Sequence, residues 1–430
     1  MNPTRRGFLA GSAALSTLAA LGLPGIAAAA GSAKRLVLVH ATGGWDVTYA
    51  LDPKEGVAEV DGPDLDEDGN NPDDREAVQT FGATPVMVNP TKRPAVSAFF
   101  RRWGDRTAVL NGVWVGSIAH TPCSIRMLTG ARTEAHADLA AITGATVGLD
   151  TPIPYMDLSG VGYAGALAAY SGRTGARNQL ELLLDRSTRI RGPSGTDQSY
   201  PGFVPADPDR AALRAFLEKR EAHLRLGDQA ASMTRFDDLV ESRSRAALLL
   251  DEGAGFADSL QIGRQSDLTT MAPTVRSLLS SGLCHTVSIS AGAEFDTHQD
   301  NSDQHAEWDL TFTGLDALMT ELVAGGLIDD TVVVVVSEMT RTPRRNADGG
   351  KDHWPVTSAL VLGGGVAGGR VYGGTTDLLD GVPVDLQSGE RFAGGTVPGY
   401  DNLAAGVLDL VGVDSEEWLP GVEPYRGFHA

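Results

Sequence analysis

The stretch VVVVVSEMTRTPRRNADGGKDHWP, residues 332–355, decides how the rest of the chain is read. Five successive valines leave no polar face, so a strand built from them must be covered on both sides, as in a parallel sheet with helices above and below. The run stops at Glu338 and is followed by Arg341, Arg344, Arg345 and Lys351, then by Gly349-Gly350 and Asp352-His353. A carboxylate at the end of a buried strand is rigidly held, and a Gly-Gly turn lets the chain double back to present a histidine beside it.

Apolar runs of the same kind occur at 35–39, 107–115, 286–290 and 358–362. Between them lie helical patterns. Phe312, Leu315, Leu318 and Leu322 keep three- and four-residue spacing after Trp308, with Asn301 or Ser302 as a cap. Residues 207–250 read as two helices, and 269–283 as another. Strands alternating with helices predict an α/β domain with a mostly parallel central sheet flanked by helices on both faces. We expect one such domain over residues 34–430, with two insertions, an acidic loop at 61–74 and the helical segment at 207–250.

In open α/β sheets, ligands sit outside the carboxyl ends of the strands. The residues that follow the predicted strands are His40, Gly43-Gly44 and Asp46; His120 and Thr121; Glu294, Asp296, His298 and His305; and Glu338, with His353 returning on its loop. Imidazoles mixed with carboxylates are a donor set for one or two divalent ions such as zinc, manganese or calcium. Asp296 and His298, alternate residues of an extended segment, point the same way. The rival reading is a structural polar cluster. Arg341 and Arg344 add a landing place for an anionic group, against the plainer reading of a solvated basic loop. Asp64, Asp66, Asp68 and Gly69 match the opening of a calcium loop, although Arg75 stands where the closing glutamate belongs; the alternative is a solvated acidic loop.

Composition narrows the function. The chain has 430 residues, 42% of them hydrophobic, and a net charge of −20, which disfavours nucleic acid as a partner. With only Cys123 and Cys284, at most one disulfide is available. Residues 1–30 place Arg5-Arg6 ahead of a weakly apolar Ala/Gly/Leu run with small-residue cleavage options at 28–33. This reads as a twin-arginine signal that engages the twin-arginine translocase and leaves a periplasmic or extracellular protein with no permanent membrane anchor; a retained anchor is the alternative. No G-x-G-x-x-G follows a strand and opens a helix, so an oxidoreductase has little support.

The sequence resembles the exported bacterial family called domain of unknown function 1501. The resemblance rests on the arginine pair, Gly43 to Asp46, Ala119-His120, FDTHQDNSDQH (295–305), SEMTRTPRRNADGGKDHWP (337–355) and LVLGGGVAGGRVYGGT (360–375). Met339-Thr340 stands where that family usually has Phe-Gly. The family looks like a branch of the alkaline phosphatase and sulfatase superfamily. That likeness implies an alkaline-phosphatase-like fold and a metal-dependent hydrolase of a small phosphate or sulfate ester. Carried over, Asp296, His298 and His353 would hold one ion and Asp46 with Glu338 a second. His120 falls where the superfamily has its nucleophile, and Thr121 is the nearest hydroxyl. The alternative is a non-catalytic, secreted or surface-associated binding protein that keeps the fold and part of the site.

Overall fold

The computed structural model describes residues 33–173, 189–191, 199–201, 207–224, 230–252 and 267–430. The arginine pair and apolar run of the N-terminus lie outside these residues. In chain order the strands are β1 (Arg35–Thr42), β2 (Ala77–Phe81), β3 (Thr84–Val88), β4 (Thr107–Trp114), β5 (Tyr155–Asp157), β6 (Ser171–Arg173), β7 (Arg189–Arg191), β8 (Ser199–Pro201), β9 (Thr286–Glu294), β10 (Thr331–Val336), β11 (Thr340–Arg341), β12 (His353–Trp354), β13 (Val356–Gly363) and β14 (Arg370–Gly373). The helices are α1 (Pro94–Trp103), α2 (His120–Thr129), α3 (Leu139–Val147), α4 (Asp207–Leu224), α5 (Ala230–Glu252), α6 (Leu268–Ser280), α7 (Gln304–Ala324), α8 (Tyr400–Val411) and the short α9 (Ser415–Trp418).

Eight strands form the main sheet in the order β14-β4-β13-β10-β1-β9-β5-β6. β1 lies parallel to both β10 and β9, and the one strand running against the rest is β13, antiparallel to β10 and β4. The five valines behave as their pattern requires. Val333 and Val335 face a core built with Phe99 of α1, Leu278 of α6 and Trp308 and Phe312 of α7. Val332, Val334 and Val336 face a second core with Met127 of α2, Ile142 of α3 and Leu408 of α8. All five are fully buried, so neither face tolerates a polar residue and the alternation seen in half-exposed strands is absent.

The structure shifts one helix start. α7 begins at Gln304, preceded by a 3-10 turn at Asn301–Asp303 whose amide at Ser302 is capped by Asp300, not by Asn301 or Ser302 themselves. Asn301 is turned inward instead. No helix among the described residues is long and apolar enough to cross a membrane, and both cysteines are buried and free.

Candidate functional site

β1, β9 and β10 end at the same edge of the sheet, and three backbone devices bring their ends together. β1 leaves the sheet through Gly43 at φ +97°, where a Cβ would stand 2.5 Å from the Asp296 nitrogen. Only glycine lets the ends of β1 and β9 approach so closely. The Gly43 amide donates to Glu338 Oε1 at 2.8 Å, tying in the end of β10. The loop after β11 then lays Gly350 against the His298 backbone, where a Cβ would fall 2.1 Å from the His298 carbonyl carbon, and delivers Asp352 and His353.

Three histidines converge on Asp296. His298 Nε2 and His353 Nε2 lie 3.2 and 3.3 Å from Asp296 Oδ1, and His120 Nε2 lies 3.5 Å from Oδ2. In each ring the other nitrogen is occupied. His353 Nδ1 is 2.7 Å from the Ile118 carbonyl, which only accepts, so that nitrogen carries the proton. His120 Nδ1 faces Glu338 Oε1 at 3.0 Å and His298 Nδ1 faces Asp352 Oδ1 at 3.2 Å, both acceptors. In neutral rings the three Nε2 atoms are therefore left as lone pairs aimed inward. Two of them, His298 Nε2 and His353 Nε2, are 2.9 Å apart. Two lone pairs at that distance repel unless a proton or a metal ion lies between or beside them, so the geometry fits a cation site whose outer partners fix each tautomer.

The electrostatics agree. Burial pushes the Asp296 carboxyl up, but the Arg341 guanidinium, 2.6 Å away, together with His353 and His120 holds it below the usual carboxylate range. The Glu338 hydrogen bond raises the His120 pKa, with burial and Arg341 opposing. Glu338 itself is buried, and its Oε2 has no donor among the described residues. His120, Asp296 and His353 also each offer a potential ligand atom within 4.8 Å of the other two.

Other residues singled out in the sequence lie elsewhere or are engaged. Asp46 is fully buried in an ion pair with Lys351 Nζ at 2.7 Å and also accepts from Thr48 and Asn301. Burial disfavours its charge, yet Lys351 keeps its pKa below the ordinary value. His305 accepts from Arg93 at 2.7 Å; burial, with Arg93 and Lys92, lowers its pKa to about 3. Arg341 is fully buried and donates to the carbonyls of Gly43, Gly44 and Lys351 as well as to Asp296, so it braces the cluster and is not presented to solvent. Arg344 is exposed but turned to Asp61 and the Ala58 carbonyl. Asp64, Asp66 and Asp68 do not converge: Asp66 binds Tyr49 and Arg345, Asp68 accepts from Asn70, and Asp64 sits in a 3-10 turn. Thr121 is exposed in the first turn of α2. His40, at the end of β1, is buried with neither ring nitrogen partnered, and burial lowers its pKa to about 4.

Sequence reasoning missed the buried partners that hold these groups. Lys351 reads as a solvated loop cation yet lies fully buried against Asp46. Asn301 reads as a cap, yet it is buried and donates to Asp46; Gln304, which the sequence did not single out, is buried and accepts the Asp46 amide. The available signal was their position inside FDTHQDNSDQH, where eight polar residues precede a helix.

Residues 33–416 match the family profile described as Protein of unknown function (DUF1501). The chain belongs to this family. No curated protein is significantly similar to it in sequence. Among solved structures, this DUF1501 protein is similar to the PsFucS1 sulfatase from Pseudoalteromonas sp., at 10% identity and a TM-score of 0.40, over 99% of this chain and 77% of that one. It is similar to the lipoteichoic acid synthase LtaP from Listeria monocytogenes, at 10% identity and a TM-score of 0.38, over 96% and 80%. A protein in the alkaline phosphatase superfamily from Vibrio parahaemolyticus is similar at 10% identity and a TM-score of 0.38, over 94% and 76%. At these values the likeness is one of general architecture and speaks to no residue of the site.

Proposed function

We propose that this chain is an exported, metal-dependent hydrolase of phosphate or sulfate esters, with its site at the Asp296 cluster. The observation that supports this most directly is the 2.9 Å approach of His298 Nε2 to His353 Nε2, with their Nδ1 atoms held by Asp352 and the Ile118 carbonyl. That donor set fits a divalent transition ion: three imidazole nitrogens and a carboxylate, with outer partners on every ring. Asp296, His298, His353 and His120 would hold it. When bound, the ion supplies Lewis-acid polarisation of an ester oxygen.

The chain's own groups would do the rest. α2 starts beside the cluster without a side-chain cap, and among the described residues the amides of His120 and Thr121 have no acceptor. Free amides at a helix start favour an anion, which supports a phosphoryl or sulfuryl group binding against the first turn. Thr121 offers the exposed hydroxyl there, next to His120, whose Nδ1 is held by Glu338 while its Nε2 faces the ion site. Arg341 acts through Asp296, fixing its carboxylate from beneath.

A secreted protein that binds metal without turnover is the second reading. It is favoured by one feature: Arg341 and Arg344 are both engaged, so neither is free to hold the ester. The test is metal content of the purified protein, measured beside an Asp296→Ala, His353→Ala double variant, with turnover of p-nitrophenyl phosphate and sulfate. Near-stoichiometric metal lost in the folded variant, with turnover lost alongside it, is expected. Metal without any turnover would favour the second reading, and a folded protein that takes up no ion after supplementation would remove both.

A further inference from the structure

A second polar groove opens beside α2, on the flank that leads away from the cluster. It has a volume of about 250 Å³ and lies between the end of β4, α2 and the start of α8, lined by Trp114, Gly116, Arg126, Arg132, Tyr400 and Asp401. Trp114 is the last residue of β4 and is 48% exposed, unusual for an indole at the end of an otherwise buried strand. Arg126 is fixed by a 2.8 Å bond from Nη1 to the Val115 carbonyl, which leaves the remaining edge of its guanidinium unused. Arg132 is exposed. Among the described residues no carboxylate pairs with either arginine. Asp401, the one acid in the lining, accepts the Asn402 amide at the head of α8. Two uncompensated guanidinium groups stand out in a chain of net charge −20.

An open indole face attracts the polarised C–H face of a flat or pyranose ring, and a guanidinium fork matches the paired oxygens of a carboxylate, sulfate or phosphate. The position relative to the cluster sets a length. Arg126 follows His120 by six residues on the same helix, an axial distance of about 9 Å at 1.5 Å per residue. The linker 115–119 joins the two places and carries Ile118, whose carbonyl orients His353.

We propose that this groove is a subsite for an anionic oligosaccharide, with a sugar ring on Trp114 and its anionic substituent on Arg126 and Arg132, between one and two turns of α2 beyond the ester held at the cluster. The link between groove and cluster rests on the ester-hydrolase reading; the groove's own affinity for an anionic sugar does not.

The experiment is calorimetric titration of the full-length exported protein with a sulfated disaccharide and with its unsulfated parent, at low and at physiological salt. Trp114→Ala and Arg132→Gln are compared with wild type, both being changes to exposed side chains. Expected are binding of the sulfated form alone, weakened about tenfold or more by each substitution, with metal content unchanged. Equal affinity in wild type and both variants, or equal affinity for the unsulfated sugar, would overturn the subsite. Turnover is not read, so a catalytically silent protein that still binds in this pattern removes the hydrolase reading and leaves the subsite standing. If p-nitrophenyl sulfate is turned over, Arg132→Gln should leave its kcat/KM unchanged while lowering that of the sulfated disaccharide.

Discussion

Lys351 and Asp46 show how much of the site depends on residues that never touch its open face. Both are fully buried, 2.7 Å apart, and Lys351 lies between Gly350, pressed on His298, and Asp352, hydrogen-bonded to it. Removing one partner of such a pair leaves a bare charge in the interior, costing about 3–5 kcal/mol, whereas replacing both by apolar groups can be close to neutral. Lys351→Met should therefore lower unfolding stability by about that amount, and an Asp46→Leu, Lys351→Met double variant should recover part of it. Denaturant unfolding of the three proteins measures this; a single variant as stable as wild type would contradict the assigned pairing. At this scale the sequence offered the chemistry of His120, Asp296, His298, Glu338 and His353. Their burial, tautomers and partners were hidden, because hydrogen-bond geometry depends on segments far apart in the chain.

Among elements, the start of α7 illustrates a second contest. Its first turn carries His305, whose imidazole accepts from Arg93 and stacks edge-on against Tyr49. A positive ring there would be buried, would face two cations and would oppose the helix dipole. With the folded pKa lowered to about 3 from 6.5, the unfolded chain binds the extra proton first as pH falls. Its contribution to stability is then complete above about pH 6.5 and is lost progressively as pH drops toward 3. His305→Gln keeps an acceptor for Arg93 but cannot be protonated. The variant should show a shallower fall of melting temperature between pH 6 and 4 than wild type, read by thermal unfolding at a series of pH values. Parallel slopes would mean that the ring is not held neutral. The same helix shows where local pattern fails: Asn301 and Ser302 both look like caps in sequence, and only the packed structure decides that Asp300 caps the turn while Asn301 turns inward to Asp46 and Tyr49.

For the whole molecule, the cluster joins three regions distant in sequence: the start of α2 by His120, the segment after β9 by Asp296 and His298, and the start of β12 by His353. A ligand that binds only when all three are assembled stabilises the folded state by mass action, about 2.7 kcal/mol at a concentration one hundred times its Kd. Chelation should therefore lower the melting temperature, and re-addition of the lost ion should restore it. The Asp296→Ala, His353→Ala variant should not respond to either treatment; a wild type equally indifferent would argue against an ion at this place.

The sequence by itself determined the layered α/β sheet, because runs such as TVVVVV admit no exposed face, and it pointed to the sheet edge where the imidazoles and carboxylates gather, because His, Asp and Glu follow strand after strand. The tertiary structure alone decided the membership of the cluster. It drew Asp46 and His305 into buried networks with Lys351 and Arg93, turned Arg341 inward, split the acidic triplet at 64–68, and set His298 against His353. The physical reason is desolvation. A charged or polar side chain taken out of water binds whatever complementary group the fold supplies, and that partner is set by packing between remote segments.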